Sequence, residues 1–161
     1  MELRTEIEIA APPAAVWTVL TDFARYPEWN PFLVSMQGSL TVGSELRIAV
    51  SPPESREYHL LPVVVACEPE RELRWRGKWG ASFLFRGEHF FRLQPVDENR
   101  TRVVHGEDFS GVLVRFLGRK LTLIARGFVF MNQALKRRVE SRVESPRGVG
   151  STLRHQPSLD R

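Results

Sequence analysis

Three side chains in the middle of the sequence have the chemistry to bind a polar group or to move a proton: His89, His105 and Glu107. His105 and Glu107 are two residues apart, so they share one side of a strand, and His89 falls on the inward side of the preceding strand by the alternation described below. In an apolar cavity, His89 and Glu107 can hold a ligand carbonyl or hydroxyl, or act as acid and base in a cyclisation. They can equally form a buried hydrogen bond that stabilises the sheet.

A metal site is another interpretation of the same three residues, and the sequence argues against it. The strand positions supply no fourth ligand, and the spacing of Cys and His is not that of a zinc site, so we predict neither metal nor cofactor. No glycine-rich phosphate loop, nucleophile elbow or Cys–His pair is present in the sequence. No catalytic residue is therefore assigned, and His89 and Glu107 remain candidates.

Alternation of apolar and polar residues predicts the strands that carry these groups. Residues 3–9 alternate as a half-buried strand, and residues 11–23 have the proline start and apolar spacing of a short helix. Further strands are predicted at residues 33–40, 44–50, 58–67, 73–79, 83–93 and 101–109. Six or seven strands joined by short turns predict an antiparallel meander.

One long helix is predicted over residues 111–142, where apolar residues recur at steps of three and four. They form a single stripe: Leu113, Leu117, Leu121, Ile124, Phe128, Met131, Leu135 and Val139. Arg119 and Arg126 fall on the opposite face, and residues 111–139 hold seven Lys or Arg and no acid. This basic face is either simply solvated or makes a weak contact with an anionic membrane surface.

Length and charge narrow the class of protein. The 161 residues favour one domain, which we place at residues 1–145, followed by a disordered basic tail at residues 146–161. The tail holds half of the net charge of +4, so the folded part is only mildly basic and nucleic-acid binding is not expected. The N-terminus has no apolar signal core and Cys67 is the sole cysteine, so a cytoplasmic location is expected, as a monomer or homodimer.

Residues 26–33, YPEWNPFL, combine two prolines with Tyr26, Trp29 and Phe32. Such a segment is expected to lack regular structure, and a loop rich in aromatic residues usually covers an apolar surface or a binding site. A twisted sheet cannot close tightly around one straight helix, so an apolar cavity is expected between the two.

The sequence resembles the START-like, helix-grip superfamily, as a bacterial member. The residues that carry the resemblance are IEIAAPPAAVWTVLTDFARYPEWNPF from residue 7, LRWRG and FRGEHFFRL in the middle, and EDFSG before the long helix. The resemblance implies an α+β fold, in which a curled antiparallel sheet of six to seven strands wraps around the C-terminal helix, with one or two short helices after the first strand. It also implies that Tyr26, Trp29 and Phe32 lie at the mouth of the cavity, although Trp29 can instead plug the end of the core.

Three functions are compatible with this scaffold, which hosts carriers, sensors and enzymes. The first is binding or carrying of a small hydrophobic molecule, such as a lipid, polyketide, isoprenoid or aromatic metabolite. The alternatives are a polyketide cyclase/aromatase-like enzyme that uses the same cavity, and a protein-interaction module. The predicted ligand-binding residues are Trp29, Phe32, Trp75, Trp79, Phe85, His89, Phe91, His105, Glu107, Leu121, Ile124, Phe128 and Met131.

Overall fold

The computed structural model describes residues 1–79, 85–116 and 118–144. Within them lie three α-helices: α1 at Pro13–Thr21, α2 at Tyr26–Trp29 and α3 at Arg119–Glu144. The same residues form eight strands: β1 at Glu2–Ile9, β2 at Leu33–Gly38, β3 at Leu46–Val50, β4 at Tyr58–Leu60, β5 at Val63–Glu68, β6 at Glu72–Trp79, β7 at Phe85–Asp97 and β8 at Arg100–Ser110. The predicted tail at residues 146–161, Leu117 and the side chains of Trp79 and Phe85 lie outside the described part.

The strands form a curled antiparallel surface. Five of them pair in the order β1-β8-β7-β6-β5, and the other three in the order β2-β3-β4. The two sheets meet where Glu45 bridges Val63 and the Leu46 amide donates to the Pro62 carbonyl oxygen at 2.8 Å. Helix α3 lies in the concave side of this surface, so the predicted α+β helix-grip architecture is confirmed.

Proline and glycine explain where the elements differ from the prediction. Residues 58–67 form two strands instead of one, because Pro62 has no N–H for a continuous ladder. The long helix begins at Arg119, eight residues later than predicted, after a 3₁₀ turn at Val114–Phe116 and after Gly118, whose φ of +37° lies outside the right-handed helical region.

The expectation that residues 26–33 lack regular structure was wrong for their first half. Tyr26–Trp29 forms one helical turn, with proline in its first turn, where a missing N–H has no helical partner to lose. The Tyr26 hydroxyl is buried and donates to the Leu20 carbonyl oxygen at 2.6 Å. Tyr26 therefore anchors this segment to the core, and the expectation that it lies at the mouth of the cavity was wrong.

The apolar stripe of α3 packs on the sheet as the helical spacing predicts. Phe128 and Met131 are fully buried, whereas Arg119 and Arg126 are exposed. The ring of Phe32 lies directly against Gly127, where a side chain on the helix would overlap it. This close approach fixes the position of α3 against Phe32, which directly precedes β2.

The exposed basic residues of α3 are partly neutralised by acidic neighbours. Arg126 Nη1 donates to Glu54 Oε1 at 2.7 Å, and Arg119 lies 4.0 Å from the same carboxylate. Arg138 pairs in the same way with Glu28. Over the described residues, every helix is too short or too polar to cross a membrane.

Candidate functional site

A cavity of about 590 Å³ lies between the inner face of the sheet and the first half of α3. Its wall is mostly apolar and includes several aromatic rings. The lining residues are Phe32, Leu33, Ile48, Val50, Pro52, Ser55, Tyr58, Leu60, Pro62, Trp75, Gly77, Gly87, His89, Glu107, Phe109, Leu113, Phe116, Lys120, Leu123 and Ile124. A largely apolar cavity of this size with a few convergent polar groups is typical of a small-molecule site.

The structure brings five of the predicted site residues to the wall of the cavity: Phe32, Trp75, His89, Glu107 and Ile124. Three of them, Trp75, His89 and Glu107, come from β6, β7 and β8, and the alternation of side chains along these strands was sufficient to select them. These five positions define the part of the predicted site that a ligand in the cavity can touch.

The other described site residues lie outside the lining. Phe91, His105, Phe128 and Met131 are buried in the core behind the wall, and Leu121 is half-buried on α3. Trp29 packs edge-on against Tyr26, with 5.0 Å between the ring centroids, and is also absent from the lining. This placement agrees with the alternative in which Trp29 plugs the end of the core.

Glu107 and His89 face each other across neighbouring strands and form the polar end of the cavity. Their Cα atoms are register partners on β8 and β7, and Glu107 Oε2 lies 3.7 Å from His89 Nδ1. That distance exceeds hydrogen-bond length, so the two groups are close without being directly joined. The Glu107 side chain keeps 20% of its accessible surface, and it borders the cavity.

Glycine at position 87 creates the space in which this carboxyl lies. A Cβ on Gly87 would overlap Glu107 Oε1 and would lie 3.4 Å from its Cδ. Any larger residue would therefore push the carboxyl away from this position. Gly77 is the register partner of Gly87 on β6, and a Cβ there would approach Pro62 Cβ alone among the residues that the structure describes, at 3.9 Å.

A continuous line of hydrogen bonds runs from His89 away from the cavity to β1. His89 Nε2 lies 2.9 Å from His105 Nε2, and His105 Nδ1 lies 2.8 Å from Asn132 Oδ1. Asn132 Nδ2 donates to Thr5 Oγ1 at 2.9 Å, and Thr5 Oγ1 donates to the His105 carbonyl oxygen at 3.1 Å. The network therefore connects three strands and α3 through three buried side chains and the half-buried Thr5.

Aromatic rings enclose both imidazoles. His105 stacks between Phe91 and Phe128, at centroid distances of 4.2 and 4.1 Å. His89 stacks on Trp75 at 4.6 Å, with only 9° between the ring planes. Such apolar surroundings disfavour a charged imidazolium.

The pKa values of the polar groups follow from this burial. Burial lowers the pKa of His89 to about 3, and it lowers the pKa of His105 well below the usual range, with a smaller contribution from His89. Burial, and to a lesser extent the Asp108 charge, raises the pKa of Glu107 to about 8. Near neutral pH the two imidazoles are uncharged, and Glu107 is largely a neutral carboxylic acid.

Tyr58, on β4, adds a second weak acid to the cavity wall. Partial burial, followed by the charge of Glu107, raises the pKa of its hydroxyl to about 12, although the residue keeps 37% of its surface exposed. The Tyr58 hydroxyl therefore stays protonated near neutral pH. Within the described ranges, no three His, Cys, Asp or Glu side chains are grouped as ligands for one metal ion.

The sequence interpretation missed several members of the site. Asn132 lies four residues after Phe128, in phase with the apolar stripe, so a polar residue at a core position was the available signal. Thr5 likewise occupies the inward parity of β1. Gly87 shares the inward parity of His89, but nothing in the sequence shows that its missing side chain makes room for Glu107. The role of Tyr58 depends on which strands meet around the cavity.

Comparison with known proteins places this geometry in a family. Residues 1–140 match the family model described as polyketide cyclase/dehydrase and lipid transport. Among curated proteins, none matches the chain.

Several solved structures share the fold. The ZhuI aromatase/cyclase from a Streptomyces species is similar with a TM-score of 0.76 and 19% identity, over 92% of this chain and 99% of that one. A norcoclaurine synthase point mutant from Thalictrum flavum, in complex with a transition-state analogue, gives a TM-score of 0.67 and 14% identity, over 89% and 96% of the two chains. A protein from Thermus thermophilus is similar with a TM-score of 0.68 and 22% identity, over 88% of this chain and 99% of that one. At these identities the likeness establishes the fold alone.

Proposed function

Since the chain belongs to the polyketide cyclase/dehydrase and lipid transport family, we propose that it binds one small, largely hydrophobic molecule in the cavity between α3 and the sheet. The observation that carries this proposal is the cavity of about 590 Å³, apolar over most of its wall and polar at Glu107 and His89. Lipids, polyketides, isoprenoids and aromatic metabolites all have the required combination of an apolar body and few oxygen atoms.

Burial of the ligand's apolar surface supplies the affinity in this proposal, at about 25 cal/mol for each Å² removed from water. The polar end then sets the orientation, because a ligand oxygen placed elsewhere in the cavity would lose its hydrogen bonds to water. Trp75 and Phe32 are aromatic residues of the wall that a ring or a chain of the ligand would contact.

The test is to fill the cavity and measure binding of a neutral hydrophobic dye such as N-phenylnaphthylamine by fluorescence. Ile124→Trp adds a large ring to a lining position, and we expect it to weaken dye binding by roughly tenfold or more, as the buried apolar contact is lost. Val129→Trp is the matched control, because Val129 lies on the same helix with 42% of its surface exposed. Equal affinity in the wild type and both variants would show that the dye binds elsewhere and would contradict the proposal.

A second candidate function is a cyclase/aromatase-type enzyme. The observation that favours it is a proton donor beside a proton acceptor. Oε2 of Glu107, whose pKa is about 8, lies 3.7 Å from Nδ1 of the uncharged His89 ring. A pKa near the working pH suits general acid–base catalysis. Incubation with a poly-β-ketone chain, followed by mass spectrometry for loss of water, tests it. Glu107→Gln should then abolish turnover while retaining binding, whereas an unchanged substrate in the wild type would exclude this function for that chain.

The proposed setting is the cytoplasm of a bacterium, with the protein acting as a monomer or homodimer and without a nucleic-acid partner. The mild charge of the folded part and the single cysteine support it. Pairing of Arg119 and Arg126 with Glu54 supports at most a weak contact with a membrane surface.

A further inference from the structure

The hydrogen-bond network behind the cavity fixes which nitrogen of each imidazole carries hydrogen. The Thr5 hydroxyl has one hydrogen and donates it to the His105 carbonyl oxygen, so its oxygen accepts from the Asn132 amide. The Oδ1 atom of Asn132 then faces His105 Nδ1 at 2.8 Å. Because this oxygen can only accept, the hydrogen of His105 is on Nδ1.

The tautomer of His89 follows from that of His105. With hydrogen on Nδ1, the Nε2 atom of neutral His105 has a lone pair, and it lies 2.9 Å from His89 Nε2. Two lone pairs at that distance would repel each other, so His89 carries its hydrogen on Nε2. His89 Nδ1, the nitrogen that faces Glu107, is therefore a hydrogen-bond acceptor.

We propose that Thr5, Asn132 and His105 hold His89 in this tautomer, and that the polar end of the cavity thereby selects an uncharged ligand hydroxyl: a phenol, an enol or an alcohol. This inference rests on the proposed function and names the polar group of its ligand. One hydroxyl oxygen can lie about 2.8 Å from both His89 Nδ1 and Glu107 Oε2, which are 3.7 Å apart. It donates its hydrogen to His89 and accepts the hydrogen of the neutral Glu107 carboxyl.

Other oxygen groups satisfy only one of the two partners. A carbonyl or an ether accepts from Glu107 and leaves His89 Nδ1 unpaired. A carboxylate directs negative charge at the His89 lone pair, and Lys120, the one cation in the described lining, is exposed on α3. A buried polar group left unpaired costs about five- to a hundredfold in affinity. The site should therefore discriminate by hydrogen-bond direction as well as by polarity.

Asn132 and Thr5 are positioning residues in this scheme, because they act on the ligand only through His105 and His89. The tautomers can be read directly from long-range proton–nitrogen correlation spectra of the full chain. We expect the Nδ1–H form for His105 and the Nε2–H form for His89. The opposite tautomer at His89 would overturn the proposal, and this measurement requires no variant.

Binding of four related probes to the wild type tests the selectivity by calorimetry: β-naphthol, its methyl ether, β-naphthoate and naphthalene. We expect β-naphthol to bind roughly tenfold or more tightly than its methyl ether or β-naphthoate. Equal binding of β-naphthol and the ether would overturn the proposal while leaving the proposed function intact. Failure of all four, naphthalene included, would contradict the proposed function, and the hydroxyl selection would fall with it.

Two variants of the network separate positioning from a purely structural role. Asn132→Leu removes the acceptor for His105 Nδ1–H, so the preference for β-naphthol over its ether should fall to within about threefold. Thr5→Ser keeps the hydroxyl that accepts from the Asn132 amide and should retain the tautomers and the preference. If Asn132→Leu weakens all four probes by one common factor and leaves the tautomers unchanged, the residue is structural and the proposal is wrong.

Discussion

Gly87 determines whether the Glu107 carboxyl can lie beside His89, and Gly87→Ala is the sharpest perturbation of the site. The new Cβ would overlap Glu107 Oε1 and lie 3.4 Å from Cδ. Because this oxygen ends a flexible side chain, the carboxyl can turn away, by roughly 1 Å or more to reach ordinary van der Waals separation. The strand itself has no reason to move.

The displaced carboxyl can no longer donate to a ligand hydroxyl held by His89. A neutral hydrogen bond contributes about 0.5–1.5 kcal/mol, and an unsatisfied buried group costs about 1–3 kcal/mol. The affinity for β-naphthol, measured by calorimetry, should therefore fall by about five- to a hundredfold. The free energy of unfolding in urea should change by less than about 1 kcal/mol, since alanine in place of glycine also restricts the unfolded chain.

Gly77→Ala adds the same methyl group to the same wall without touching Glu107. Among the described residues, its Cβ would meet only Pro62 Cβ, at 3.9 Å, and its backbone is the register partner of Gly87. We expect its affinity for β-naphthol to stay within about threefold of the wild type. Equal losses in the two alanine variants, or no loss in Gly87→Ala, would refute the role given to the Glu107 position.

Three further predictions concern stability. Phe128→Ala should lower the free energy of unfolding in urea by about 3–5 kcal/mol because the ring is fully buried, whereas Val129→Ala on the exposed side should cost less than about 0.5 kcal/mol. A loss near 1 kcal/mol for Phe128→Ala would mean that the ring borders empty space. Glu107 has a folded-state pKa of about 8, above its ordinary 4.5, so the unfolded chain ionises first and the wild type loses stability as pH rises between these values. The stability of Glu107→Gln relative to the wild type should thus rise by a few kcal/mol from about pH 5 to about pH 8 in urea titrations, and a constant difference would contradict this. Tyr26→Phe removes the hydroxyl that donates to the Leu20 carbonyl oxygen, and should lower the free energy of unfolding by about 1–3 kcal/mol in the same assay. The affinity for β-naphthol should stay unchanged, and a loss of affinity would mean that this segment contacts the ligand.

The parity of side chains along strands was enough to predict the inward direction of His89, Glu107 and Trp75. Parity is a local property of a strand, so it does not depend on how the sheet curls. The stripe of α3 was predictable for the same reason, since helical spacing determines which residues share a face. The start of α3 was not predictable from this spacing, because the apolar spacing already begins at residues 111–118. Gly118 has a φ of +37°, which lies outside the helical region, so the helix begins only after it.

Most of the cavity wall could not be predicted, since it depends on contacts between distant segments. Tyr58 on β4 and Pro52 after β3 line the same cavity as residues of β6, β7 and β8, which belong to the other sheet, and no local pattern specifies that the two sheets share one wall. Asn132 was missed because the buried face of α3 was identified from its apolar residues alone, and a polar residue on that face was not considered. The tautomer of His89 depends on Thr5, which is 84 positions away in the sequence.

Methyl NMR of the protein with labelled isoleucines tests most directly whether a ligand occupies this cavity. The chain has four isoleucines: Ile48 and Ile124 line the cavity, and Ile7 and Ile9 lie outside its lining. On addition of β-naphthol, we expect large shifts and direct contacts to the ligand at the methyl groups of Ile48 and Ile124, with little change at the other two. Shifts confined to Ile7 and Ile9, or no change at any of the four, would contradict it.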